Sequence, residues 1–189
     1  MMSCTLGKGS MIRRHMSFAG LFLAAYYVLL ATNGFAQSVT SDDRLKVFLR
    51  KYLADPQTGI IKTTRYVAVS ANLGDSAKDA VIVYISDYEG MWCGSGGCTT
   101  LVLKPKGASY EIIGDTPATR PPFRILRSRT NGMHDIGYLR CGGGIVRCYE
   151  AALRFNGRRY KGNPTVHPVA QDDNGPTLIP ADAKGEPLY

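Results

Sequence analysis

The spacing of apolar residues switches from helical to strand-like near Pro56. Between residues 41 and 55 it is helical: Leu45, Phe48, Leu49 and Tyr52 fall at i, i+3, i+4 and i+7, which makes one apolar stripe. Ser41 stands where an N-cap is needed, and Asp42 and Asp43 fill the first turn, where the helix dipole favours negative charge. Pro56 stops the pattern. The spacing predicts one helix that lies on a sheet.

Past Pro56 the helical period vanishes. Residues 65–70 and 80–86 are β-branched and aromatic and read as strands. The second is apolar almost throughout, as a central strand would be. Residues 99–104 and 110–113 flank a Pro-Lys-Gly-Ala-Ser turn and predict a hairpin. Residues 123–127 read as a separate strand after Pro121 and Pro122. Residues 135–140 and 146–155 pair across Gly142 to Gly144, and Asn156-Gly157 is a two-residue hairpin signal leading to Tyr160. The predicted class is α+β, mostly β: one N-terminal helix packed on an antiparallel sheet of about seven short up-and-down strands. From residue 162 to 189 apolar periodicity is lost and Pro and Gly accumulate. This segment is expected to be an extended or disordered tail.

Composition changes this picture little. With 189 residues, 44% hydrophobic and 20% charged, the chain is neither disordered nor fibrous nor a multi-span membrane protein. The first 36 residues change it more. Lys8, Arg13 and Arg14 precede an apolar run from Phe18 to Leu30, and small residues follow up to Ala36. That order is a secretory signal peptide, and the run is shorter than the roughly 20 residues a membrane span requires. Met11 and Met16 would serve as starts as well as Met1. The expected domains are residues 1–36 as leader, 37–161 as one exported domain and 162–189 as tail. The mature chain is expected to be periplasmic or secreted, with no membrane span and a net charge lowered from +8 to about +5.

Export makes the four remaining cysteines disulfide partners. Of three connectivities, proximity favours Cys93–Cys98 and Cys141–Cys148, since facing hairpin residues lie within disulfide reach. The spacings, C-x₄-C and C-x₆-C, do not suit zinc. No metal and no cofactor are expected.

The most unusual stretch is Met91 to Cys98, which holds the chain's one Trp. Trp92, Gly94, Ser95, Gly96 and Gly97 form a candidate binding loop. A disulfide-closed Gly-Ser-Gly-Gly turn could gather backbone amides around an anion or enter a partner's cleft as a rigid finger. The bland reading is a capped turn over a buried Trp92. Ser95 as a nucleophile would need a general base, and the one ordered candidate, His134, reads as a turn residue. Asn72, Asp75 and Asp79 resemble a calcium turn, but Ala71 and Leu73 stand where ligands would be needed. A polar turn is the simpler reading. Arg120, Arg124, Arg127, Arg140 and Arg154 could share one sheet face as a basic patch. The weak aromatic interleaving gives no evidence for specific nucleic-acid binding.

Residues 92–98, the Pro-Pro-Phe-Arg run 121–124 and the Thr-Asn-Gly-Met-His-Asp-Ile run 130–136 resemble a group of small uncharacterised exported bacterial proteins with a Trp-Cys-Gly-Ser-Gly-Gly-Cys loop. The resemblance spans residues 67–160 and implies a compact exported β domain. A weaker likeness, through Gly107 to Tyr110, is to periplasmic lysozyme inhibitors, although their targets are basic like this chain. The expectation is a non-enzymatic binding or inhibitor module whose partner is an unidentified envelope protein or an anionic polymer. The alternatives are a structural envelope protein with a basic face, and a hydrolase using Asp or His134.

Overall fold

The computed structural model describes residues 43–54, 62–87, 91–142, 146–161, 168–169, 173 and 175–189. The leader, Ser41, Asp42, Pro56 and residues 143–145 lie outside them. One helix, α1 (Asp43–Leu53), precedes the strands β1 (Arg65–Ala71), β2 (Ala80–Ser86), β3 (Cys93–Gly94), β4 (Gly97–Lys106), β5 (Ser109–Thr130), β6 (Met133–Gly142), β7 (Val146–Phe155), β8 (Tyr160–Lys161), β9 (Thr177–Ile179) and β10 (Glu186–Pro187). The protein is mostly β. No helix among the described residues is long and apolar enough to cross a membrane.

The sheet order is β10-β1-β2-β4-β5-β6-β7-β8, with β3 on β4 and β9 on β5. Pairing is antiparallel except that β8 lies parallel to β5 at Gly114 and Asp115. The sheet is therefore mixed. It has more strands than the seven expected, because short pieces at 93–94, 177–179 and 186–187 join it. The predicted strands 110–113 and 123–127 are two halves of one strand, β5. Its first half pairs with β4, from Ser109 to Thr119, and its second with β6, from Arg120 to Thr130. Pro121 and Pro122 cannot donate to a ladder, and the β6 register skips from Arg120 to Arg124 over them. Ala118, at φ 57°, lies in the left-handed region that side chains adopt at a cost of about 1–3 kcal/mol. The chain turns a corner there.

Period-2 alternation sends strand side chains into two cores. Val69, Ile82, Val102 and Ile113 meet Phe123, Ile136, Tyr138 and Leu153 in one buried cluster. Tyr66, Val81, Val83, Leu101 and Leu103 meet Leu45, Leu49 and Leu53 of α1 in the other. β2 therefore feeds both, which is why it carries an unbroken apolar run. The helix is also tied by polar contacts: Tyr52 donates to Asp115 Oδ2 at 2.7 Å, and the Arg44 guanidinium lies 4.8 Å from the centre of the Tyr110 ring. The Asn156 turn is wider than a two-residue hairpin. Phe155 pairs with Tyr160, and Asn156 Oδ1 accepts the Arg158 and Arg159 amides at 3.0 and 2.9 Å, so a side chain takes an amide that the ladder would have used.

Part of the segment expected to be an extended or disordered tail packs on the sheet. Over residues 175–189 it is extended but packed. Leu178, Ile179 and Leu188 are at most 7% exposed, β9 pairs with β5, and β10 pairs with β1. Three apolar residues without periodicity are enough here, because each drops separately into a core already walled by the sheet. Asp173 adds a polar clamp: its Oδ1 accepts the Arg127 and Ser128 amides at 2.6 and 3.3 Å. Burial works against its charge, but bonds from the Ser128 side chain and from both amides, with the Arg124 charge beyond, hold its carboxyl below the usual range.

Ile179→Ala and Leu188→Ala should each cost about 2–5 kcal/mol in urea unfolding; costs under about 0.5 kcal/mol would place the tail outside the core. Burial, and then the nearby Glu186 charge, push the Tyr66 hydroxyl up to about 12; burial also raises Tyr138, and burial followed by the Asp135 charge raises Tyr160. Folded pKa values above the unfolded value of about 10 mean stability is full below pH 10 and falls as pH climbs toward 12. Phenolate absorbance and circular dichroism should change together over that interval.

Candidate functional site

The Met91–Cys98 stretch folds as a two-stranded finger. β3 and β4 pair Cys93 with Cys98 and Gly94 with Gly97, leaving Ser95 and Gly96 as the tip. The cysteines face one another with Cα atoms 3.9 Å apart and are bonded. The second pair, Cys141–Cys148, closes the β6–β7 hairpin with Cα atoms 4.1 Å apart. Both local pairs that proximity favoured are the pairs formed.

The finger rests on the corner of β5. Cys98 pairs with Thr119, and Thr119 Oγ1 donates to the Cys98 carbonyl at 2.8 Å and sits 2.7 Å from Thr100 Oγ1. Gly97 has φ 131°, and a Cβ there would sit 2.1 Å from the Thr119 carbonyl oxygen, so only glycine fits. A Cβ on Gly96 would lie 3.1 Å from Ala118 Cβ and 3.3 Å from the Cys141 carbonyl oxygen, so the two disulfide loops abut. Arg120 completes the brace. Its Nη2 donates to the Ser95 carbonyl at 3.0 Å and its Nε to the Gly96 carbonyl at 3.4 Å. The tip thus presents carbonyl oxygens to a cation, the reverse of the expected amide nest for an anion.

At the base of the finger, the Trp92 amide donates to Asp87 Oδ2 at 2.8 Å, and its carbonyl accepts the Thr99 amide at 2.9 Å. The half-buried Trp92 ring packs against the core under α1. Gly94 and Ser95 are exposed, and Met91 is 41% exposed beside them.

The five arginines of the predicted patch fall into different settings. Arg120 serves the finger. Arg124 forms a two-pronged pair with Glu150 through Nε–Oε1 and Nη2–Oε2; the bond to Glu150 leads the causes that raise its pKa. Arg154 lies 3.9 Å from the buried Asp135 carboxylate. Arg140 follows the parity of Tyr138 and Ile136, which point into the core, whereas Arg124 pairs with Gly137 on the opposite face. Arg127 is exposed at the edge clamped by Asp173. The structure does not bring these residues together as one free basic face.

His134 is held at both ring nitrogens, with Nδ1 2.7 Å from the Leu126 carbonyl oxygen and Nε2 2.6 Å from Arg129 Nη2. In the 72–79 turn, Gly74 N–H donates to Asn72 Oδ1 at 3.1 Å, Leu73 is fully buried and Asp75 pairs with Lys78 at 3.6 Å. These are the bonds of a polar turn. Among the described residues no group of three or more His, Cys, Asp or Glu side chains gathers as metal ligands do. Reasoning from the sequence missed the brace: Arg120 lies more than twenty positions from the tip it holds, and no local pattern marks that pairing.

Comparison with family models, with curated proteins and with solved structures finds no match.

Gly97→Ala should destabilise by at least about 2 kcal/mol, from backbone strain and the clash with Thr119. Gly94→Ala, with open space around it, should stay within about 0.5 kcal/mol. Equal thermal shifts for the two would refute the close seating of the finger.

Proposed function

We propose that this protein is an exported binding or inhibitor module, periplasmic or secreted, that meets its partner with the Cys93–Cys98 finger and performs no turnover. One observation carries the reading. The tip is held by a covalent bond, by a guanidinium on both its carbonyls and by the neighbouring disulfide loop, yet Gly94, Ser95 and Met91 remain open to solvent. A segment ordered before contact loses little conformational entropy on binding. A purely structural turn would not need such bracing on its exposed side.

Other features agree. Two disulfides suit an oxidising compartment, as does the leader-like start of the chain. The resemblance to small exported proteins centres on this same loop. A nucleophilic Ser95 would need a base, and the ring nitrogens of His134 are both engaged elsewhere. The occupant is an envelope protein whose cleft admits a narrow polar finger flanked by one thioether.

A photo-crosslinking residue at Ser95 tests this directly, with the same residue at Val47, exposed on α1, as reference. Envelope extract should give a discrete adduct from position 95 and none from 47, and the adduct should fade in Cys93→Ser/Cys98→Ser. Identical adducts from both positions, or one indifferent to the disulfide, would refute the finger as the contact.

A further inference from the structure

We infer that a second site, independent of the finger, binds a phosphate-bearing anion in the cleft between β5 and the β7–β8 turn. The cleft encloses about 580 Å³ and is lined by Glu111, Ile112, Asn156, Arg158, Arg159 and Lys161. Three of its six lining residues are cations within four positions of the chain. Its one carboxylate, Glu111, is already paired with Lys106 at 3.5 Å. Asp115, the register neighbour of Lys161 on the same face, is exposed, and its Oδ2 already accepts the Tyr52 hydroxyl at 2.7 Å. Among the described residues Arg158, Arg159 and Lys161 form no ion pair within 4 Å. A smaller cleft of about 250 Å³ adjoins it and adds Lys104 beside Arg158 and Glu111.

The backbone that carries these cations is fixed. Asn156 Oδ1 holds the Arg158 and Arg159 amides, the Asn156 amide donates to the Arg159 carbonyl at 3.0 Å, and Gly157 takes φ 94°. Tyr160 is 1% exposed, and its hydroxyl donates to the His134 carbonyl at 2.7 Å. With Tyr160 pointing inward, alternation places Arg159 and Lys161 together on the outer side. Three like charges set side by side in a concave surface repel one another, and an anion relieves that repulsion. Guanidinium forks match the oxygens of phosphate two at a time. The ligand class is therefore a phosphomonoester or diphosphate, either soluble or as a headgroup.

The test uses the full chain and inorganic pyrophosphate followed by amide NMR at low salt. Shifts should saturate and concentrate on residues 111–112 and 156–161. Arg158→Gln/Arg159→Gln should weaken binding at least tenfold with an unchanged thermal midpoint. Arg127→Gln/Arg147→Gln, which removes equal charge elsewhere, should leave it within twofold. Vesicles of phosphatidic acid in phosphatidylcholine separate the sources: retention by them assigns a headgroup, and pyrophosphate binding without retention assigns a soluble ligand, both supporting the site. Equal weakening in the two double variants, or no saturable shift with either probe, would overturn it.

Discussion

One strand has to serve two successive partners. β5 pairs with β4 along its first half and with β6 along its second, so it must turn where the partners change. The turn at Ala118 to Pro122 brings Thr119 and Arg120 under the Cys93–Cys98 finger. It also brings the Cys141 carbonyl against Gly96. The finger's rigidity therefore comes from the fold's corner and only partly from its own disulfide. By chain entropy so short a ring contributes about 2 kcal/mol. The seating adds the exclusion of any side chain at Gly97 and two charge-assisted bonds from Arg120.

Much of this was legible where a residue's role depends on near neighbours. The stripe from Leu45 to Tyr52, the doubly buried β2 and the two local disulfides all follow from spacing alone. What failed depends on contacts across the fold. Pro121 and Pro122 read as a break because locally they are one; that β5 passes through them is decided by strands on either side. The tail read as extended or disordered, with no core contacts expected, because Leu178, Ile179 and Leu188 follow no period. They fill gaps in cores built by other segments, which no window of sequence can reveal.

Charge shows the same division. Counting arginines suggested one basic face, but strand parity and partners decide which charges are free. Arg124 and Arg154 are matched by Glu150 and Asp135, and Arg120 is absorbed by backbone carbonyls. Arg158 and Arg159, also without an acidic match, lie after Asn156, where three cations in four positions were visible as a cluster yet lay outside the patch. The molecule thus carries two distinct exposed features on rigid supports: an uncharged polar finger braced from below, and a cationic cleft beside the β7–β8 turn.

The central claim is that the finger tip is ordered before it meets anything. Backbone order parameters from ¹⁵N relaxation of the free protein test it most directly. The account predicts values near 0.85 at Ser95 and Gly96, as in rigid backbone. Values below about 0.6 there, with the sheet still rigid, would contradict it.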